Sequence, residues 1–125
     1  MRKILSQYLG STLSSIKFSY NMYGKPYIKN NRLGFNLSNS NEYAVLAINS
    51  DTPTGVDIEH ENVELDLNHM ALAILSKDEY QQFSAFKNKS LQEKAFYRAW
   101  TCKEAFTKCL GLGFSFDVRC CQFNL

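Results

Sequence analysis

The sequence has no C-x-x-C pair and no zinc-ligand pattern: its four cysteines, Cys102, Cys109, Cys120 and Cys121, are spaced for neither. Cys102 and Cys109 fall on one expected helix, roughly 10 Å apart along its axis, too far to bond each other. Reduced, buried thiols are therefore expected. An excess of charge of one sign is also lacking. A net charge of +2 is too small to argue for a nucleic-acid partner. The basic start, MRKILSQYLG, is interrupted at Ser6 and Gln7, so it reads as neither signal peptide nor membrane span, and a cytoplasmic protein is expected. No internal repeat, low-complexity tract or linker divides the chain.

What is present is a core. With 45% hydrophobic and 14% aromatic residues, 125 residues can build one domain. Ile4, Leu5, Tyr8 and Leu9 recur at helical spacing up to Gly10, and a loop then leads into an aromatic strand over Ile16–Tyr20. Tyr23-Gly24-Lys25-Pro26 reads as a turn, in which Pro26 pushes Lys25 towards an extended conformation. Phe35–Ser38 and Tyr43–Ile48 are expected strands; Asp51–Gly55 turns the second into a third strand, Val56–Glu59, giving an antiparallel meander. Leu65, Leu67, Met70, Leu72, Ala73 and Ile74 form an apolar helical segment. Ser76 and Glu79 make a capping box for a second helix carrying Tyr80, Phe83 and Phe86. Alternation over Phe114, Phe116 and Val118 predicts a closing strand.

The most regular stretch runs from Ser90 to Gly113. Ser90 and Glu93 form a second capping-box pattern, neither glycine nor proline interrupts residues 94–110, and Gly111 supplies a stop, which predicts a helix of about five turns. Leu91, Ala95, Ala99, Cys102, Phe106 and Cys109 are expected to make its apolar stripe. Trp100, Glu104 and Lys108 succeed one another at i, i+4 along a neighbouring face. Two readings of Glu104 and Lys108 are open at this level, a surface pair or a working carboxylate and ammonium. Asp57 and Glu59 share a face of the third strand, about 6.5 Å apart along it, either turned to solvent or holding a hard cation through oxygen ligands. His60 would point the other way, so magnesium or manganese is favoured over zinc. Lys25 is either a solvated turn lysine or a presented one.

These motifs fall in one order: Gly24-Lys25-Pro26-Tyr27, Phe35-Asn36-Leu37-Ser38-Asn39-Ser40, Gly55-Val56-Asp57-Ile58-Glu59, then Trp100 with Lys103-Glu104-Ala105, Lys108 and Gly111. The series resembles the 4'-phosphopantetheinyl transferases, in particular the surfactin-synthetase-activator-like subfamily, over roughly residues 2 to 118. The resemblance implies an α+β fold, one pseudo-repeat with an antiparallel sheet packed on the long helix. Residues 1–15 would correspond to the last helix of the family's first half and 16–125 to its second half, as in a truncated member.

It also implies magnesium-dependent transfer of the phosphopantetheine arm of coenzyme A to a serine of an acyl or peptidyl carrier protein. Carriers of fatty-acid, polyketide or peptide synthesis are equally compatible. By the resemblance Asp57, Glu59 and Glu104 would hold magnesium, Glu104 would be the general base, and Lys108 would face the diphosphate. Lys25 and Pro26 would meet the adenine and ribose end, and Ser38 the phosphates; Trp100 would mainly pack. Asn39 stands where the family usually has a histidine that contacts the coenzyme's 3'-phosphate, and it carries no charge. Members of the subfamily are about twice as long, with the active site between two halves, so a homo-oligomer or a complementing chain is expected. Lys25, Lys29 and Arg32 would steer an acidic carrier. The alternative is a fold-retaining remnant that binds carrier or coenzyme A weakly without catalysis.

Overall fold

The computed structural model of the chain describes residues 1–61 and 66–125. Helix α1 (Arg2–Tyr8) leads through a short 3-10 turn to strands β1 (Phe18–Tyr20) and β2 (Pro26–Ile28), then β3 (Gly34–Ser40) and β4 (Tyr43–Asn49). Helices α2 (Leu67–Ile74), α3 (Lys77–Ala85) and α4 (Lys89–Leu110) come next, and two 3-10 turns, Gly113–Ser115 and Val118–Cys120, finish the chain. The α+β class is as expected. Leu65 lies outside the described residues.

Instead of one sheet, the described residues form two antiparallel pairs, β1 with β2 and β3 with β4. The β3–β4 hairpin closes tightly because Asn41, at φ 50°, tolerates the left-handed conformation that a two-residue turn requires. The expected third strand, Val56–Glu59, is extended but joins no ladder. Its contacts with β3 run through side chains: Asn36 Oδ1 accepts from Val56 N at 2.8 Å, Ser38 Oγ donates to Asp57 Oδ1 at 2.9 Å, and Ser40 Oγ accepts from His60 N at 3.0 Å. Alternate residues of β3 share a face, so the segment tracks β3 in the same direction through them. The meander expectation is thereby corrected.

The closing strand over 114–119 is likewise replaced by the two 3-10 turns. Gly111 and Gly113 both adopt positive φ, and Asp117 accepts from Arg119 N while pairing with its guanidinium at 2.8 Å, which curls the segment on itself. That guanidinium holds the Asp117 carboxyl down to about 2.

Among the described residues two apolar clusters carry the packing. Leu5, Ile16 and Phe35 pack with Phe18, Ile28 and Ile48 between α1 and the strands. Ala71, Ile74, Phe83, Phe96 and Ala99 pack α2 and α3 against the first half of α4. The Ser76–Glu79 capping box starts α3 as expected. For α4 the cap is Asn88, whose side chain accepts from Leu91 N at 3.2 Å; Ser90 lies inside the helix and Glu93 faces Lys89 at 3.8 Å. With the orphan amide satisfied there, Ser90 has no capping role.

The buried side of α4 also differs from the expected stripe. Leu91 is 53% and Phe106 41% exposed, whereas Phe96, Ala99, Lys103 and Thr107 are buried. The stripe is rotated because Lys103 finds a buried partner in Glu79, so a charged residue occupies a core position. All four cysteines are free, as expected, but none is fully buried and Cys120 is exposed.

Candidate active site

The second half of α4 leaves the helical core and meets three other pieces of chain. It stops at Gly111, whose φ of 68° is left-handed and whose N–H bonds Thr107 O at 2.9 Å. Asn21 fixes the turn of residues 21–25 to this end: its Nδ2 donates to Gly111 O at 2.7 Å, and its Oδ1 accepts from Tyr23 N and Lys25 N at 2.9 and 2.8 Å. Lys25 Nζ then donates to Thr54 O at 2.9 Å and Cys109 O at 2.8 Å, tying turn, helix end and the 54–60 segment together. Burial lowers the Lys25 pKa from its ordinary value, an effect opposed by Cys109.

Gly55 lets the extended segment lie flush on α4. A Cβ there would stand 1.9 Å from Ala105 O and 2.4 Å from Cys109 N. Only a residue without a side chain permits this approach. Two residues on, Asp57 lies 1% exposed against Lys108 Nζ at 2.5 Å. Ser38 completes the group, donating to Asp57 Oδ1 and accepting from Lys108 Nζ at 3.0 Å. The other Asp57 oxygen, Oδ2, is buried with no hydrogen-bond partner among the described residues, as is Thr107 Oγ1 one position before Lys108.

Glu104 stands one turn before Lys108. Burial raises its carboxyl above the usual carboxylate range, Asp57 and more weakly Glu59 push it the same way, and Lys108 opposes them. These causes place Glu104 within the electrostatic reach of both other carboxylates. Beside it opens a cavity of about 420 Å³, whose apolar wall includes Trp100, Pro26, Tyr23, Phe114, Phe116 and Val118 and whose polar rim includes Glu104 and Lys108. The arrangement offers an apolar slot ending at a carboxylate and a half-exposed ammonium.

Ser38, Asp57, Glu104 and Lys108 thus come together, and Lys25 and Pro26 line the cavity with Glu104 and Lys108. Glu59 is exposed and accepts from Ser40 Oγ at 3.5 Å. Among the described residues no group of three or more His, Cys, Asp and Glu is close enough to hold a metal ion by itself; Asp57 bonds Lys108 and Ser38. Asn39 is exposed on β3, on the opposite face from Ser38, and Lys29 and Arg32 are exposed. His60 is exposed, as expected. Trp100, expected to pack the helix against the sheet, packs on the helical core instead and also lines the cavity.

Sequence reasoning missed Asn21, Asn36 and Thr107, along with the aromatic wall of Phe114 and Phe116. Asn21 had a signal, since it precedes Gly24 in a turn that asparagine side chains commonly nucleate. Asn36 had one as well, as a polar residue beside Phe35 in a strand. Phe114 and Phe116 alternate as strand residues do, but no strand forms there.

The family model described as 4'-phosphopantetheinyl transferase superfamily matches residues 53–125. The chain is 36% identical over 117 residues to the 4'-phosphopantetheinyl transferase HetI of Nostoc sp., covering 90% of this chain and 49% of that protein. It is 36% identical to the 4'-phosphopantetheinyl transferases gsp of Aneurinibacillus migulanus, over 95% of this chain and 48% of the relative, and Sfp of Bacillus subtilis, over 94% and 51%. The chain spans about half the length of the curated relatives it matches.

Proposed function

The chain belongs to the 4'-phosphopantetheinyl transferase superfamily, and from that membership we propose that it transfers the phosphopantetheine arm of coenzyme A to a serine hydroxyl of an acyl or peptidyl carrier protein. Its likeness to gsp and Sfp fits the surfactin-synthetase-activator-like subfamily. The observation that carries the proposal is the Ser38–Asp57–Lys108 group beside Glu104, with Lys108 and Glu104 lining an apolar cavity.

In the reaction the serine oxygen of the carrier forms a bond to the phosphorus that bears the pantetheine arm. The P–O bond to the other phosphate breaks, and adenosine 3',5'-bisphosphate leaves. Glu104 takes the serine proton, directly or through a water; its raised pKa keeps it a stronger base than a solvated glutamate. Lys108, with its side chain 31% exposed, donates to the diphosphate oxygens and stabilises charge on the leaving phosphate. Ser38 holds Asp57 and Lys108 in place from the strand side. The apolar wall around Trp100, Phe116 and Val118 suits the methylene and dimethyl portions of the arm and shields the reacting groups from water. Lys25 and Pro26 border the adenine and ribose end.

The residues fit a magnesium ion in their chemistry. Asp57 has a buried carboxylate oxygen without a partner among the described residues, and besides burial the carboxylates of Asp57 and Glu59, hard oxygen donors, raise Glu104. Asp57, Glu59 and Glu104 would hold it, with manganese as a substitute; when bound, such an ion neutralises the diphosphate oxygens. A second reading is favoured by Asn39, which is uncharged where the family carries histidine: a chain that binds coenzyme A or carrier weakly without transfer. The missing charge-assisted contact would weaken coenzyme binding by about 1–3 kcal/mol.

We place the protein in the cytoplasm, with a second copy or a partner chain completing the cleft and Lys29 and Arg32 steering an acidic carrier. Among the described residues no helix is long and apolar enough to cross a membrane. The test is mass spectrometry of an apo acyl carrier protein after incubation with the chain, coenzyme A and magnesium, alongside a sizing column. A carrier heavier by one phosphopantetheine supports transfer. An unmodified carrier with coenzyme binding retained supports the second reading.

A further inference from the structure

One buried charged pair has no part in the transfer chemistry. Lys103 and Glu79 lie 2.8 Å apart with both side chains 0% exposed. An apolar pair of similar volume would stabilise a core at least as well, so the fold alone does not require these charges. Their remaining bonding capacity shows what the charges do. Lys103 Nζ donates to Val118 O at 2.9 Å and to Cys121 O, and its ammonium lies 5.8 Å from the centre of the Phe123 ring. Glu79 Oε1 accepts from Phe123 N at 2.7 Å, while its Oε2 closes the cap of α3 on Ser76 N. Backbone groups of the last irregular segment, from three of its residues, thus end on a fully buried ion pair.

Besides these bonds, Val118 and Leu125 rest on the helical cluster, and the remaining polar ties of the segment are exposed. The segment contains no strand, and the exposed bonds of Gln122 to Asp78 and of Leu125 N to Gln82 are longer, at 3.2 and 3.3 Å. Its first part nevertheless forms the cavity wall: Phe116 stacks edge-on against Phe106 at 5.9 Å, and Val118 lines the cavity with Trp100 and Glu104. Lys103 is also the immediate neighbour of Glu104 on α4, so one turn of helix carries both the cavity's carboxylate and the anchor of the wall beside it.

We propose that Lys103 is a positioning residue: clamped by Glu79, it pins residues 118–123 from inside and so sets the distance between the Phe116–Val118 wall and the Glu104 face of α4. The proposal rests on the transferase reading only in taking this cavity as the coenzyme site. Lys103 touches no substrate; its effect reaches the reaction through the shape of the slot.

Native-state hydrogen exchange on the full wild-type chain is the first arm of the test. The amides of Cys121 and Phe123 are expected to be protected as strongly as those in the middle of α4, and exchange at the rate of exposed turns overturns the proposal. The second arm compares Lys103→Met and the charge-free pair Glu79→Gln with Lys103→Met. In the double variant, far-ultraviolet dichroism and melting are expected to stay close to wild type. Exchange at Arg119–Cys121 should rise at least tenfold, and Trp100, the chain's only tryptophan, should shift its emission as the wall loosens. The coenzyme KM should rise about tenfold with a smaller change in kcat. A folded double variant with unchanged exchange, emission and KM refutes the positioning role. Wild-type chain that binds no coenzyme, combined with the expected exchange and emission changes, refutes the transferase reading and leaves the clamp intact.

Discussion

Replacing Gly55 with alanine adds one methyl group at the point where the extended segment touches α4. That carbon would sit 1.9 Å from Ala105 O, 2.4 Å from Cys109 N and 2.8 Å from Cys109 Cβ. Two of those neighbours are backbone atoms of a regular helix, so they cannot swing aside as a flexible side chain would. The segment itself must withdraw, by roughly 1.5 Å to recover ordinary contact distances. Overpacking of this kind typically costs about 1–3 kcal/mol, and for a domain of this size each kcal/mol lowers Tm by about 4 °C.

Function should suffer more than stability. Asp57 is two residues along, and its bonds to Ser38 at 2.9 Å and to Lys108 are lost when the segment retreats. A misplacement of about 1 Å in a reacting constellation is worth about 10²-fold in rate. The assay is thermal melting together with carrier labelling at saturating coenzyme A. Gly10→Ala is the control, since Gly10 has a φ of 57° but no atom within 4 Å of the added carbon, so it suffers backbone strain without a clash. A Gly55→Ala protein with the melting temperature and labelling rate of wild type would refute the claim that this contact sets the site.

Other perturbations separate charge from packing. Removing the ammonium in Lys108→Ala leaves Asp57 buried and unpaired, and urea unfolding should show a loss of about 1–3 kcal/mol, with a coupling above roughly 1 kcal/mol in the double-mutant cycle with Asp57→Asn. Glu104 has a folded pKa raised above its unfolded value, so its favourable contribution is complete below the unfolded pKa and disappears as pH rises through the folded one. Glu104→Gln should therefore melt higher than wild type at neutral pH while losing transfer, a difference that closes in acid. Glu79 is shifted the other way despite its burial, because Lys103 and the backbone amides of Ser76 and Phe123 favour its ionised form. Its stabilisation is complete above the unfolded pKa near 4.5 and is lost as pH falls through the folded pKa, so the stability gap between wild type and Glu79→Gln should narrow below pH 4.5. Asn36→Ala orphans the N–H of Val56, now held at 2.8 Å, and should lower stability by about 1–3 kcal/mol in urea unfolding.

The parts of the fold that were legible in the sequence are those specified by local chemistry. The long helix and its stop at Gly111, the Ser76–Glu79 box and the β3–β4 hairpin each depend on residues that act on their own neighbours. The i, i+4 spacing of Trp100, Glu104 and Lys108 placed them on one face, and the cavity runs along that face. Partner choice was not legible. Alternation in 56–59 specifies an extended chain, but the side-chain bonds from Asn36, Ser38 and Ser40 that replace a backbone ladder depend on residues about twenty positions away. The burial of Lys103 was not legible, because the partner that makes it tolerable lies on another helix. The 114–119 alternation had no neighbouring strand to join among the described residues, and local pairing of Asp117 with Arg119 took its place.

The proposed transferase centre on this chain comprises Asp57, Glu104 and Lys108. It is tested most directly by following transfer of a fluorescent coenzyme A arm to an acyl carrier protein with magnesium present, using wild type and Glu104→Gln side by side after both are shown to be folded. Labelling by wild type with at least a roughly 10²-fold loss in the variant is the result expected. Equal labelling by both proteins would contradict the claim, and so would a folded wild type that labels none of several carriers.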